Sequence, residues 1–167
     1  MLRTKVINDS VDLVSIIRAF DNSTKKDVFT EISKGWIPES SIKKKWGDAG
    51  EDALELFDRM KLAETKWTTS EDGVEGKPQK MYRSFYSLFN INISCPVNEI
   101  SDIFTISSLN PDEFKKLEDN IYSFVGDEGR FGNTVSENFN LSNNALKAMV
   151  KRSKKFCFTG LKITRTN

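Results

Sequence analysis

The sequence predicts a mainly α-helical α+β fold in which short helices stand in tandem and β-hairpin wings follow them. Three observations predict it. Apolar residues recur three and four apart through most of residues 11–60 and 111–152, the pattern of helices with one buried face. The pattern turns strand-like over residues 64–93 and again over 154–165. Gly, Pro, Asn and Asp stand at each change of period, where turns need them. At 167 residues, 38% hydrophobic and 29% charged, the chain can bury one good core or two small ones. Its apolar runs are short and interrupted by charges, so neither a membrane span nor a signal-peptide core is expected and the reading is a cytoplasmic protein.

The elements follow in order. In Val11–Phe20, Leu13, Ile16, Ile17 and Phe20 share one helical face, and Asp21 to Thr24 interrupts it. A second helix from about Ser23 to Ser33 buries Val28, Phe29 and Ile32 and closes at Gly35. Pro38 and Glu39 open a short third helix with Ile42 and Trp46 one turn apart, and Gly47 ends it. Asp48 and Glu51 have capping-box spacing and start a helix that buries Ala53, Leu56, Phe57 and Met60. Glu64–Thr69 reads as a strand, Ser70–Gln79 as a polar loop and Lys80–Ile93 as one long return strand. Helix, helix, tight turn, helix, hairpin is the order of a winged helix-turn-helix, the hairpin being the wing.

Cys95–Ser108 reads as a mostly helical connector. Asn110, Pro111 and Glu113 then supply an N-cap, an N1 proline and an N3 carboxylate. The helix they start buries Phe114, Leu117, Ile121, Phe124 and Val125 and stops at Gly126, with Asp127–Gly132 as a polar turn. After a short segment, Thr134–Phe139, Ser142 caps a helix from Asn143 to Arg152 whose Ala145, Leu146, Met149 and Val150 point inward. Lys154–Arg165 reads as a tight hairpin with Thr159-Gly160 at its tip. This repeats the earlier order in miniature, so two winged helices in tandem are expected. The domains are then 1–94, a helical connector at 95–110, and a small winged-helix-like domain at 111–167.

The first half resembles the arsenic-repressor (ArsR) type of winged helix-turn-helix regulator found in archaea and bacteria, in an archaeal style. "DNSTKKDVFTEISKG" is similar to that family's opening helix and "SSIKKKWG" to its next. "DAGEDALELFDRMKLAETKW" is similar to its recognition helix running into the wing, and "GKPQKMYR" to the wing's far side. The resemblance covers residues 10 to about 94 and implies a homodimeric, repressor-type regulator of transcription. The cysteine motif with which founding members sense metals is missing, so metal control is not carried over. The recognition-helix positions are not basic either: with Ala53, Leu56, Phe57 and Met60 inward, the outer face shows Glu51, Asp52, Glu55 and Asp58 against Arg59 alone. Carboxylates repel phosphates, and most major-groove base edges are acceptors.

Composition narrows the chemistry. There is no histidine and there are two cysteines, Cys95 and Cys157, so no metal cluster, disulfide framework or histidine-based triad is available. No phosphate-cradling glycine loop appears, and the carboxylates read as solvated helix faces. No enzyme, cofactor or metal is expected, and no residue set selects an effector ligand.

The net charge of +1 conceals a gradient. Residues 1–94 carry 15 Lys/Arg and 15 Asp/Glu, residues 95–140 carry 3 and 9, and residues 141–167 carry 7 and none. A polyanion would be drawn to the last segment. The expected contacts to double-stranded DNA are therefore Asn143, Asn144, Lys147, Lys151 and Arg152 on the outward side of the last helix, with Lys154 beyond it. Amide and cationic side chains of this kind bond purine edges and neutralise phosphates. Lys43, Lys44 and Lys45, with the wing's Lys77, Lys80 and Arg83, would touch phosphates only. Three rivals stay open: a winged-helix adaptor that binds protein and no nucleic acid, neutralisation of the basic end by the acidic connector, and stacking of single-stranded bases on Tyr82, Phe85, Tyr86 and Phe89.

Overall fold

The computed structural model describes residues 3–69 and 78–166. They form two compact units, one of residues 3–6 and 18–91 and the other of residues 7–17 and 92–166. The architecture is mixed α/β with small sheets, compatible with winged helices. The chain begins with β1 (Thr4–Ile7), a single 3-10 turn (Ser10–Asp12) and α1 (Leu13–Ala19). Within α1 it passes from one unit to the other: Val14 belongs to the core of the C-terminal unit and Ala19 to that of the N-terminal unit.

In the N-terminal unit, α2 (Ser23–Ser33) spans the residues the periodicity predicts and buries Val28, Phe29 and Ile32. It starts where it does because Asn22 Oδ1 accepts from the Lys25 backbone N–H at 2.9 Å, satisfying a donor the first turn leaves open. After β2 (Ile37–Pro38), α3 (Glu39–Arg59) is broken at Gly47, with φ 61° and ψ −149°, a conformation only glycine adopts without strain. The tight turn expected there is present. Gly50 is buried three residues later, and a Cβ on it would lie 2.9 Å from Ile42 Cγ2, so the two halves of α3 close on each other through a missing side chain. The capping box expected at Asp48 does not form, because the Glu51 carboxylate accepts from Lys43 Nζ at 2.9 Å instead. The buried arc of the second half includes Leu54 beside Ala53, Leu56 and Phe57, and is wider than the stripe read from spacing.

β3 (Ala63–Thr69) and β4 (Pro78–Ser84) pair antiparallel from Ala63 opposite Ser84 to Thr69 opposite Pro78, and β2 adds to the far side of β4 with Ile37 opposite Tyr82. Of the loop expected at Ser70–Gln79, residues 70–77 lie outside the described residues, while Pro78 and Gln79 already belong to β4. The single return strand expected over Lys80–Ile93 is corrected to two strands. β3 has no residue beyond Ala63 to pair with, so the chain bends after Ser84 and β5 (Leu88–Ile91) takes β1 as a new neighbour. Arg3 O accepts from Ser87 N at 2.8 Å at the start of that pairing.

The C-terminal unit contains α4 (Val97–Ser108) and α5 (Pro111–Val125). The capping box at Asn110 is formed in both directions, Glu113 N donating to Asn110 Oδ1 at 2.9 Å. The polar turn expected over Asp127–Gly132 is corrected. Arg130–Phe131 form a short strand, β6, opposite Ile163 and Lys162, and Gly129 passes so near that strand that a Cβ would stand 2.8 Å from Ile163 O. Next come α6 (Gly132–Phe139), α7 (Asn143–Arg152) capped by Ser142 Oγ, β7 (Phe156–Thr159) and β8 (Lys162–Arg165). Thr159 pairs with Lys162, so the tip is Gly160-Leu161, one residue on from the tip expected. The two three-stranded sheets, β2-β4-β3 and β6-β8-β7, share one order: a short leading strand beside the return strand of the hairpin.

Candidate nucleic-acid interface

Ser142 sets the start of α7 by accepting from Ala145 N at 3.1 Å, and its own hydroxyl donates to Asp102. From there Ala145, Leu146, Ala148, Met149 and Val150 pack inward. Asn143, Lys147 and Lys151 are exposed, each four residues from the last and so stacked on one side of the helix. Asn144 is half-buried. This row contains two cations and an amide and no carboxylate.

Arg152 departs from the outward position expected of it. It is buried, its Nη1 donates to Ile106 O at 2.7 Å, and its guanidinium lies 4.0 Å from the centre of the Phe114 ring. The spacing already contained this answer: Arg152 is seven residues from Ala145 and three from Met149, in phase with the buried stripe. Residue type argued for solvent, and helical phase prevails because backbone carbonyls at the end of α4 supply the partners a buried cation requires.

The basic end is partly neutralised by its own unit. Lys151 pairs with Asp12 at 2.9 Å, Lys155 with Asp119 at 2.6 Å and Glu118 at 3.2 Å, and Arg165 with Asp127. Hydrogen bonds to Asp119 and Glu118 raise the Lys155 pKa, and the bond from Lys155 in turn lowers that of Asp119. Among the described residues Lys147, Lys154 and Lys162 take part in no ion pair, and all three are exposed. Lys151 keeps 43% of its side chain in solvent, and an ion pair at such a surface is weak enough to be exchanged for a phosphate. Lys162 was absent from the sequence-derived set. Its place beside the hairpin tip, on the strand leading away from Gly160, is the signal that identifies it.

The corresponding surface of the N-terminal unit has the opposite sign. On the second half of α3, Asp52 and Glu55 are exposed beside Arg59, and Glu51 and Asp58 are half-buried. The cations expected to touch phosphates are mostly engaged. Lys43 holds Glu51, with its own pKa raised by that hydrogen bond. Lys45 lies over Trp46, and Lys80 sits 3.8 Å from Asp58 and over the Tyr82 ring. Arg83 grips Glu64 through Nε at 2.8 Å and Nη2 at 2.5 Å and stacks on Trp36. Burial would raise the Glu64 pKa, but the hydrogen bonds from Arg83 and Arg3 outweigh it and the carboxyl titrates below its ordinary value. Lys44 is exposed and in no ion pair among the described residues, and Lys77 lies outside them.

Two further features bear on ligands. An open cavity of about 360 Å³ in the N-terminal unit is lined by Arg3, Phe29, Glu64, Arg83, Tyr86 and Phe89 among others. Tyr82 is buried, while Phe85 is exposed and meets Tyr86 edge-on at 4.9 Å. Among the described residues no group of three or more Cys, Asp or Glu is placed to hold a metal ion, and no helix is long and apolar enough to cross a membrane.

Comparison with known proteins adds one finding. A family model described as ArsR transcriptional regulator matches residues 7–167, which takes in both units. No curated protein matches the chain, and no solved structure does.

Proposed function

We propose that this chain, which belongs to the ArsR family of transcriptional regulators, binds duplex DNA mainly through its C-terminal unit, as a homodimeric repressor that does not sense metals. In this reading the two units are winged helices in tandem, and the shared sheet order supports it. The observation that carries the DNA assignment is the exposed row Asn143, Lys147 and Lys151 on α7, set against Asp52 and Glu55 on the second half of α3. Cations on a helix face release counterions from the phosphates, and an asparagine pairs with adenine edges, whereas exposed carboxylates raise the electrostatic cost of approach. The homodimer and the repressor role rest on the family alone.

The test is fluorescence anisotropy on mixed-sequence duplex at low and moderate salt, with the native chain and with Lys147→Glu and Lys151→Glu combined. Native binding that weakens as salt rises is expected, with the double variant losing roughly 100-fold or more and showing a shallower salt dependence. Failure of the native chain to bind at low salt would sink the assignment. Binding untouched by the double change would move the contact to the N-terminal unit. The acidic face of α3 favours one second reading, in which the N-terminal unit docks a basic protein partner. That reading predicts that Asp52→Lys with Glu55→Lys abolishes a protein complex and leaves DNA binding intact.

A further inference from the structure

We infer that Leu161, at the tip of the C-terminal hairpin, is an apolar wedge that inserts between stacked base pairs and bends the bound duplex. This rests on the DNA reading given above. The turn itself does not call for leucine. Gly160 has φ +62° and residue 161 has no positive φ, which is the pattern of a two-residue turn that needs glycine at its first position and accepts polar residues at its second. Leu161 is nevertheless 81% exposed, with Phe158 at 41% and Phe131 at 55% in the same small sheet.

The support under the tip is stiff. Thr159 and Lys162 close the hairpin as paired residues, and the Thr159 and Thr164 hydroxyls meet across it at 3.0 Å. A side chain carried on such a turn loses little further freedom when it is buried.

Charge selects the occupant. Lys162, next to the tip, holds its ammonium 5.3 Å from the centre of the Phe131 ring, and no carboxylate follows Glu137 in the sequence. An apolar knob beside a lysine unpaired among the described residues, with no acidic side chain in its segment, matches a partner with an apolar interior and an anionic rim. Stacked base pairs between phosphate backbones have that character, and apolar side chains inserted at base steps from the minor groove kink the helix. Steps that unstack easily, TA and CA/TG, are the expected points of entry.

The experiment uses the whole chain and a duplex with a central TA step and a dye at each end. Native protein should raise energy transfer between the dyes and make the thymines at the step reactive to permanganate. Leu161→Ala and Leu161→Ser should abolish both signals at saturating protein, keep the salt dependence of binding, and lower affinity for the intact duplex about tenfold. On a duplex already kinked by a mismatched bubble they should bind within about twofold of native. Both variants should retain the native melting temperature, because the side chain packs against little. Bending by the variants equal to native, or no bending by a native chain that binds, overturns the wedge while leaving the DNA reading in place. Loss of self-association with bending intact overturns it in favour of a protein contact. No binding by the native chain overturns both readings.

Discussion

In the N-terminal unit the helix before the hairpin turns Asp52 and Glu55 to solvent; in the C-terminal unit the helix in the same place of the order turns Asn143, Lys147 and Lys151. Their buried sides are alike, Ala53, Leu56 and Phe57 in one and Ala145, Leu146 and Met149 in the other. Each feeds an antiparallel hairpin flanked by a two-residue strand on the same side. Inward positions are apolar in both units, while outward positions carry opposite charge. The lesson is that a shared order of helix and hairpin predicts where a reading face would be and says nothing of whether it can read.

The comparison can be broken or sharpened. Arg152→Ala removes a buried guanidinium and leaves Ile106 O without its donor, so it should cost about 3 kcal/mol. Hydrogen exchange should show the loss in α7 and leave α3 protected; equal loss in both units would mean that they do not open separately. Gly129→Ala should cost about 2–3 kcal/mol, as it adds a backbone clash to positive-φ strain. Gly47→Ala, with open space around it, should cost about 1–2 kcal/mol of strain alone. Urea melts of the two variants would rank them, and the reverse order would refute the close approach at Gly129.

Acid separates the units more gently. The folded-state pKa of Glu64 is depressed, so its contribution is present above its ordinary value and is lost as pH falls below about 4.5 and on through the depressed value. The Asp119 pKa is lowered from an ordinary value of 3.8 by the hydrogen bond from Lys155, so loss of its contribution begins only below about 3.8. Trp36, which stacks on Arg83, gives a fluorescence signal for the N-terminal unit. Acid-induced change there should precede loss of α7 amide protection, and simultaneous loss would contradict the assignment. The smallest effect concerns α3. Asp52→Lys with Glu55→Lys should alter DNA affinity by less than about twofold at physiological salt, where charges beyond about 8 Å of the phosphates are screened. A tenfold gain would place that helix at the DNA.

Much of this was legible in the sequence because it is local. The bounds of α2, the break at Gly47, the box at Asn110 and the hairpin from Phe156 to Arg165 are all set by residues within a few positions of one another. What escaped is long-range. β2 and β6 are two residues each, too short to show alternation, and exist because β4 and β8 offer them an edge. The split of the expected strand over 80–93 depends on β1, more than eighty residues away in sequence. For the candidate interface, the row Asn143, Lys147 and Lys151 was visible in the helical period. Which cations stay in solvent depends on partners such as Asp12, 139 residues from Lys151, and no local pattern carries that.

Val14 lies in the core made by α4, α5 and α7, so residues 7–17 of the C-terminal unit are separated in sequence from the rest of it by residues 18–91 of the N-terminal one. During synthesis residues 18–91 can collapse as soon as they emerge, while residues 7–17 must wait for α7 to be made. Until then Leu13, Val14 and Ile17 are an unmet apolar strip. The C-terminal unit is therefore expected to be the slow folder of the pair, limited by the closure of a loop that holds an already folded neighbour.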